Sequence, residues 1–408
     1  MNALFNLPEK VIFCKKCLMS NQRPSSIPEF THVRERVGAK YLNIDESTSI
    51  CDACKVTELK DYKIDWEQRE KDLLILLDKH RSKNGNYDCI VPGSGGKDSV
   101  MASHILKYKY GMHPLTITWP PILYTDYGYK NFKNWIDIGG FDNLAYRPSG
   151  KVLRLLTKLS IQNLLHPLQT FILGQKHLAP KIAKKFNIPL VFYGESEAEY
   201  GSPMVEHGTS LRENEFYTYK NIKDLYLAGL SVRHLEEKFG LTKKDLSIFL
   251  PTPKEELENF NLEFYSLGYY IKWIPQEAYY YAVENVGFIP RPYRTQGTYS
   301  KYSGVDDKID DLHWYTTYIK YGLGRTSYDA SQEIRNRHLN REEGKLLVKK
   351  YDGEFPDKYF DEIMDYLEMS KDEFYKLCDD FRSPHLWVNT NKEGFKLRHT
   401  INEDGEND

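Results

Sequence analysis

Seven consecutive residues, Gly93, Ser94, Gly95, Gly96, Lys97, Asp98 and Ser99, combine the features needed to hold an anion. Glycines let the backbone approach a bulky group, and a helix start offers unpaired N–H groups with partial positive charge. Lys97, Ser94 and Ser99 add side-chain donors. An apolar run ending at Pro92 precedes these residues, and Val100, Met101, Ile105 and Leu106 follow at helical spacing. The order predicts a strand, a glycine-rich turn and a helix, with phosphate as the anion. A Walker A loop is excluded, because it needs four residues between its first glycine and Gly-Lys-Ser/Thr. Here Asp98 follows Lys97, and a carboxylate beside a phosphate is useful where a metal or the helix start absorbs its charge.

Other residue sets carry their own chemistry. Cys14-x-x-Cys17 and Cys51-x-x-Cys54 have the spacing of a tetrahedral structural zinc site. The remaining two of six cysteines, Cys89 and Cys378, read as buried apolar residues. Glu195, Glu197 and Glu199 alternate between Gly194 and Gly201, a pattern that could hold magnesium or bind ammonia or ammonium. Late in the chain, Arg291, Arg294, Arg325, Arg335, Arg337 and Arg341 suit carboxylate or phosphate recognition, or a solvated ion-pair network.

These residues must be positioned by a fold. Trp66, Leu73, Leu74, Leu76 and Leu77 predict a helix over 65–80. Strand patterns over 88–92, 115–119 and 189–193 alternate with helical ones over 97–110, 152–165 and 175–186. Such alternation predicts an α/β fold with a parallel sheet, helices on both faces and ligands beyond the carboxyl ends of the strands. We read residues 1–64 as a zinc-ribbon module. Residues 65–300 form the α/β domain, with a helical insertion at about 202–260 that includes amphipathic pieces at 225–230 and 232–239. Residues 301–408 form a helical C-terminal region, with 358–381 as an amphipathic tail and an acidic, frayed end at 403–408.

The 408 residues are 40% hydrophobic, enough for a sizeable core, and the formal charge of −2 gives no general pull toward nucleic acid. No apolar run is long enough to span a membrane, and the N-terminus lacks a signal-peptide pattern, so a cytoplasmic location is expected.

The 93–99 loop resembles the SGGxDS signature of the PP-loop ATP pyrophosphatases, which split ATP between the α and β phosphates. That resemblance implies an adenine nucleotide alpha hydrolase-like domain and puts the adenosine near Thr125, Asp126 and Asn131. More of the chain, from about 10 to 375, is similar to the N-acetyl sugar amidotransferases of bacterial lipopolysaccharide O-antigen and nonulosonate (pseudaminic or legionaminic acid) biosynthesis. The carrying segments are both cysteine pairs, 92–99, 124–131, Gly-Gln-Lys-His-Leu-Ala-Pro at 174–180, 194–201, and Gly-Thr-Tyr-Ser-Lys-Tyr, Asp-Asp-Lys-Ile-Asp, Gly-Leu-Gly-Arg and Tyr-Asp-Gly-Glu-Phe-Pro within 297–356.

The resemblance implies that an acetamido group on a nucleotide-linked sugar becomes acetamidino. ATP would adenylate the amide oxygen, and ammonia would then displace AMP. It assigns Lys97, Asp98 and Ser99 to catalysis, and Pro92, Gly93, Ser94, Gly95, Gly96, Thr125, Asp126, Gly194 and Glu195, with the catalytic three, to ATP and Mg2+. Glu199, Tyr299, Lys301, Arg325 and Arg335 fall to the sugar substrate, and Cys14, Cys17, Cys51 and Cys54 to zinc. Residue 2 is Asn rather than a nucleophilic Cys, and neither Cys89 nor Cys378 sits on a glycine-rich elbow, so ammonia is expected from a separate glutaminase subunit. Two other readings are a tRNA-thiolating enzyme of the same superfamily and a zinc-ribbon adaptor with a decayed loop. The first needs cysteines beside the loop, where only Cys89 lies; the second is opposed by intact Ser94, Lys97, Asp98 and Ser99.

Overall fold

A computed structural model of the protein describes residues 2–201, 210–390 and 394–401. The acidic end at 403–408 and the start of the expected insertion, 202–209, lie outside the described residues.

Five parallel strands form the central sheet: β1 (Cys89–Pro92), β2 (Pro114–Thr118), β3 (Asn143–Ala145), β4 (Leu190–Tyr193) and β5 (Glu263–Ser266), in the order β3-β2-β1-β4-β5. Period-two alternation sends Ile90, Leu115, Ile117, Val191 and Phe264 into one core with α5 (Gly150–Leu164) and α6 (Gln169–Phe186). Cys89, Val91, Leu190 and Phe192 enter the other core, with Leu73 and Leu77 of α2 (Trp66–His80) and Met101 of α3 (Lys97–His104). Both faces are covered, so the strands read as nearly continuous apolar runs. Winding reverses direction between β1 and β4, and such a switch point opens a crevice at the carboxyl ends of the strands.

Several expectations need correction. The pattern predicts no helix between β2 and residue 152, yet Thr125 accepts the Gly128 N–H at 2.9 Å and caps α4 (Asp126–Asp137). Residues 225–230 are no helix. They form a hairpin, Tyr226–Leu227 against Leu230–Ser231, through Ala228 and Gly229 at φ of 54° and 77°, the left-handed pair a tight hairpin turn demands. Val232–Phe239 is helical as expected. The tail divides into Phe360–Leu367 and Lys371–Asp380, broken at left-handed Glu368, and ends in a hairpin of Trp387–Thr390 and Gly394–Leu397.

The cysteine-bearing segment lies against the C-terminal helices. Its helix α1 (Asp52–Tyr62) starts directly after Cys51. Leu323 joins the apolar cluster around the cysteines, and Leu18 packs with Ala330 and Ile401. Helices α7 (Pro275–Val286), α8 (Ile309–Tyr321), α9 (Arg325–Arg335) and α10 (Arg341–Tyr351) complete the frame of the site. Among the described residues, no helix is long and apolar enough to cross a membrane.

Candidate functional site

The loop leaves β1 with the Gly93 N–H donated to the Ile117 carbonyl at 2.9 Å. A Cβ on Gly93 would lie 2.2 Å from Ser99 Cβ, and one on Gly95 would lie 2.6 Å from the Phe132 backbone, with Gly95 at φ +86°. Only glycine fits either position. Gly96 is the N-cap of α3, so Lys97, Asp98 and Ser99 occupy its first turn, where backbone N–H groups lack intrahelical partners. The polar side chains hold one another. Lys97 Nζ donates to Asp98 Oδ2 at 2.6 Å, Ser94 Oγ to Asp306 Oδ2 at 2.7 Å, and Ser99 Oγ to the Gly96 carbonyl at 3.0 Å. Trp273 Nε1 donates to Asp98 Oδ1 at 3.3 Å.

Two cavities flank the loop. The larger, about 320 Å³, lies at the switch point, with Gly93, Ser99, Ile117, Trp119, Tyr193 and Glu195 on its walls. Lys176, Arg212 and Tyr217 also line it, and none of these was singled out in the sequence. Lys176 falls within the quoted 174–180 segment, which was the one available signal for it. The smaller cavity, about 210 Å³, is bounded by Lys97, Asn131, Tyr302, Asp306 and Arg325. Ser94, Gly96 and Asp98 line both.

The three alternating carboxylates separate into different roles. Glu195 faces the larger cavity and accepts the Tyr200 hydroxyl at 2.6 Å. Burial and the nearby Asp98 charge push its carboxyl up to about 7, against the pull of Lys97. Burial also opposes the charge of Glu197, but Arg212 and Lys176 outweigh it and hold that carboxyl below its usual range. Glu199 pairs with Lys60 of α1 at 2.8 Å, both largely buried. Among the described residues these three do not converge as one metal cluster. Besides Asp98 of the loop itself, Glu195 and Glu197 line the larger cavity and Asp306 the smaller.

The other expected positions are scattered. Thr125 is 2% exposed, its hydroxyl donated to the Val305 carbonyl, and it lines neither cavity. Asp126 is exposed in the first turn of α4. Asn131 clamps Ile289, donating to its carbonyl at 2.9 Å and accepting its N–H at 2.7 Å, so its amide is committed to backbone. Lys301 is exposed and Tyr299 keeps a buried hydroxyl; neither lines a cavity beside the loop. Arg325 does reach the smaller cavity, where Asp329 accepts from its Nε at 3.0 Å and its guanidinium lies 4.5 Å from the Trp314 ring centre. Arg335, expected at the sugar substrate, is buried beside the cysteines and lines neither cavity at the loop, and Glu199, expected there too, is turned to Lys60. Arg291 makes a buried ion pair with Asp311 at 3.2 Å, a framework contact.

The four cysteines fit a zinc ion. Sulfurs of Cys14 and Cys54 are 3.8 Å apart, those of Cys17 and Cys51 3.7 Å, and all four lie within 4.8 Å of one another. Tetrahedral ligation at about 2.3 Å requires sulfurs about 3.8 Å apart. Backbone N–H groups of Lys16 and Cys51 point at Cys14 Sγ at 3.4 and 3.3 Å, as a thiolate would need. No cysteine lines either cavity beside the loop; Cys89 is fully buried on β1, and burial raises its thiol pKa.

Comparison with known proteins adds three findings. Residues 296–401, which include Tyr302, Asp306 and Arg325 of the smaller cavity, match the family described as "LPS biosynthesis protein WbpG-like, C-terminal domain". The chain is 39% identical over 72 residues to an uncharacterized protein, MJ1599, of Methanocaldococcus jannaschii; this is 18% of the chain and covers 25% of that relative's length. Among solved structures, an NH3-dependent NAD synthetase from Campylobacter jejuni shares 15% identity at a TM-score of 0.28, over 48% of this chain and 94% of that one. An NMN synthetase from Francisella tularensis shares 16% at 0.24, over 49% and 92%. The C-terminal quarter is thus similar to a lipopolysaccharide-biosynthesis domain, joined here to a parallel α/β sheet and a four-cysteine module.

Proposed function

We propose that the protein is an ATP-dependent amidotransferase that turns an acetamido group of a nucleotide-linked sugar into acetamidino during bacterial surface-polysaccharide biosynthesis. The observation that carries this reading is the 93–99 loop at the sheet's switch point, forming the wall between two cavities. The larger cavity takes ATP, its phosphates against the α3 N-terminus and its adenosine along Trp119 and Tyr193. The smaller takes the acceptor sugar, with Arg325 on its carboxylate or phosphate. The match of residues 296–401 to a lipopolysaccharide-biosynthesis domain supports a sugar there.

The chemistry follows from the acceptor. An amide oxygen is a poor leaving group, so it attacks the α-phosphorus, pyrophosphate departs and an O-adenyl imidate forms. Ammonia, supplied by a partner glutaminase, adds to the imidate carbon and AMP leaves. Loop N–H groups and Lys97 meet the charge that develops on the phosphates. Lys97 leaves Asp98 to do so; Asp98 and Glu195 would then hold Mg2+, which would supply charge neutralisation for the polyphosphate. With ATP in the larger cavity and the acceptor in the smaller, water is kept from the adenylate. The absence of thiols from both cavities disfavours the tRNA-thiolation reading.

The test is product analysis with ATP, ammonium and a panel of UDP-diacetamido uronic acids and CMP-nonulosonates. AMP, pyrophosphate and a sugar in which one oxygen has become an imino group are expected. ADP as the sole nucleotide product would reject the proposal.

A further inference from the structure

We propose that Glu29, His32 and His166 form a second metal centre, separate from the four cysteines, for a divalent ion of the zinc class. One ligand atom from each lies within 4.8 Å of the others. None of the three lines either cavity at the loop, and the centre does not depend on the reading given for those cavities.

Local structure presents these side chains together. The 3-10 turn Glu29–Thr31 follows Pro28, and the His32 N–H donates to the Glu29 carbonyl at 3.2 Å. In such a turn, side chains three apart eclipse, so residues 29 and 32 share one side. His32 Nδ1 lies 3.2 Å from Glu29 Oε2. Gln169 of α6 fixes the turn: its Nε2 donates to the Glu29 carbonyl at 3.0 Å, while its Oε1 accepts the Ala228 N–H at 3.0 Å. His166 comes directly after Leu165, which ends α5 at φ +46°, and its N–H donates back to the Ser160 carbonyl at 3.3 Å. That reversal brings the His166 ring to 6.4 Å from the His32 ring, centre to centre.

Each imidazole keeps one ring nitrogen unpartnered among the described residues: His32 Nε2 and His166 Nδ1, both sealed from solvent. Such orphaned buried atoms are uncommon, and each asks what completes it. Imidazole nitrogens with one carboxylate are a donor set zinc accepts with three protein ligands and one exchangeable position. A cavity of about 30 Å³ beside His32 and His166 has room for a water in that position. His313 stacks on His166 at 4.9 Å and fixes its plane.

Three cations face the cluster, Lys176, Arg36 and Lys320, and Lys176 Nζ lies 5.4 Å from the Phe216 ring centre. Arg36 donates to the Tyr321 hydroxyl, and Lys320 Nζ donates to the Leu164 carbonyl at 3.2 Å. Their charge opposes a cation, so this centre binds more weakly than the four thiolates and is the one a chelator strips first.

The experiment is metal analysis of the full chain after loading with excess zinc and dialysis. The wild-type protein is expected to hold two zinc ions per chain, and His32→Gln/His166→Gln one, with the melting temperature of the variant confirming its fold. Cobalt titration of the wild type decides the matter independently of any variant. Thiolate-to-cobalt charge transfer should saturate at the first equivalent, and the second should add ligand-field absorption alone. A single zinc per wild-type chain, a double variant that retains the second ion, or a cobalt titration that ends at one equivalent would overturn the assignment.

Discussion

The cysteine cluster and the 93–99 loop are both small, both held by short contacts, and built on opposite principles. The four sulfurs already stand at the spacing one ion requires, with N–H groups aimed at them. The loop instead satisfies its polar groups with one another, Lys97 on Asp98, Ser94 on Asp306, Ser99 on Gly96. A structural site is closed around a fixed occupant. A site that must turn over keeps partners it can exchange. The two are joined by one side chain: Lys60, on the helix that follows Cys51, reaches both Glu199 at 2.8 Å and the Trp273 carbonyl at 2.8 Å, while the Trp273 indole holds Asp98.

The sharpest way to break the comparison is at the loop itself. Lys97→Ala and Asp98→Ala should each lower AMP formation by about 100-fold or more, with the melting temperature close to wild type; unchanged turnover would show that the exchangeable contacts are only structural. Cys51→Ser addresses the closed site. It should lose bound zinc and melt earlier, because metal-binding energy is folding energy there; normal zinc content with a normal melt would contradict the closed-site reading.

Lys60→Met tests the joint. It strands a buried carboxylate at Glu199, so a loss of about 3 kcal/mol is expected, recovered in part in Lys60→Met/Glu199→Leu. If the joint positions Asp98, that double variant still shows a lowered kcat, whereas a purely structural joint restores it. Arg325→Ala should raise the KM for the sugar about tenfold, the scale of one lost charge-assisted contact, while ATP binding is little changed. A weakened ATP affinity would reverse the division between the cavities. The smallest effect is on pH. Glu195 holds its proton up to about 7, and a metal must displace it. Mg2+ affinity should therefore fall as pH drops below about 7 and level off above it, measured by Mg2+ titration of AMP formation; a flat profile would remove Glu195 from the ion.

What could be read in the sequence was what depends on near neighbours along the chain. The loop, both cysteine pairs, α2, α3 and strands β1, β2 and β4 all announce themselves within a dozen residues. β3 is three residues long and β5 reads Glu-Phe-Tyr-Ser, too short and too polar to declare themselves without their partners. The α4 start was obscured by Pro120, Pro121 and Gly128, although Thr125 is a good cap. Gly128 is there for another reason: a Cβ would lie 2.3 Å from Asp306 Cα, a contact across the fold. Arg212 and Lys176 reach the larger cavity through tertiary packing, and Arg325 and Arg335, ten residues apart on one helix, end at different sites because α9 points its faces at different neighbours.

Ser94, Gly96 and Asp98 belong to both cavities. Whatever settles on one side of that thin partition reshapes the floor of the other, since a first-turn backbone cannot move on one face alone. The order in which two ligands arrive, and the reluctance of the first to leave once the second is seated, would then be written into a few peptide units rather than into any swinging lid.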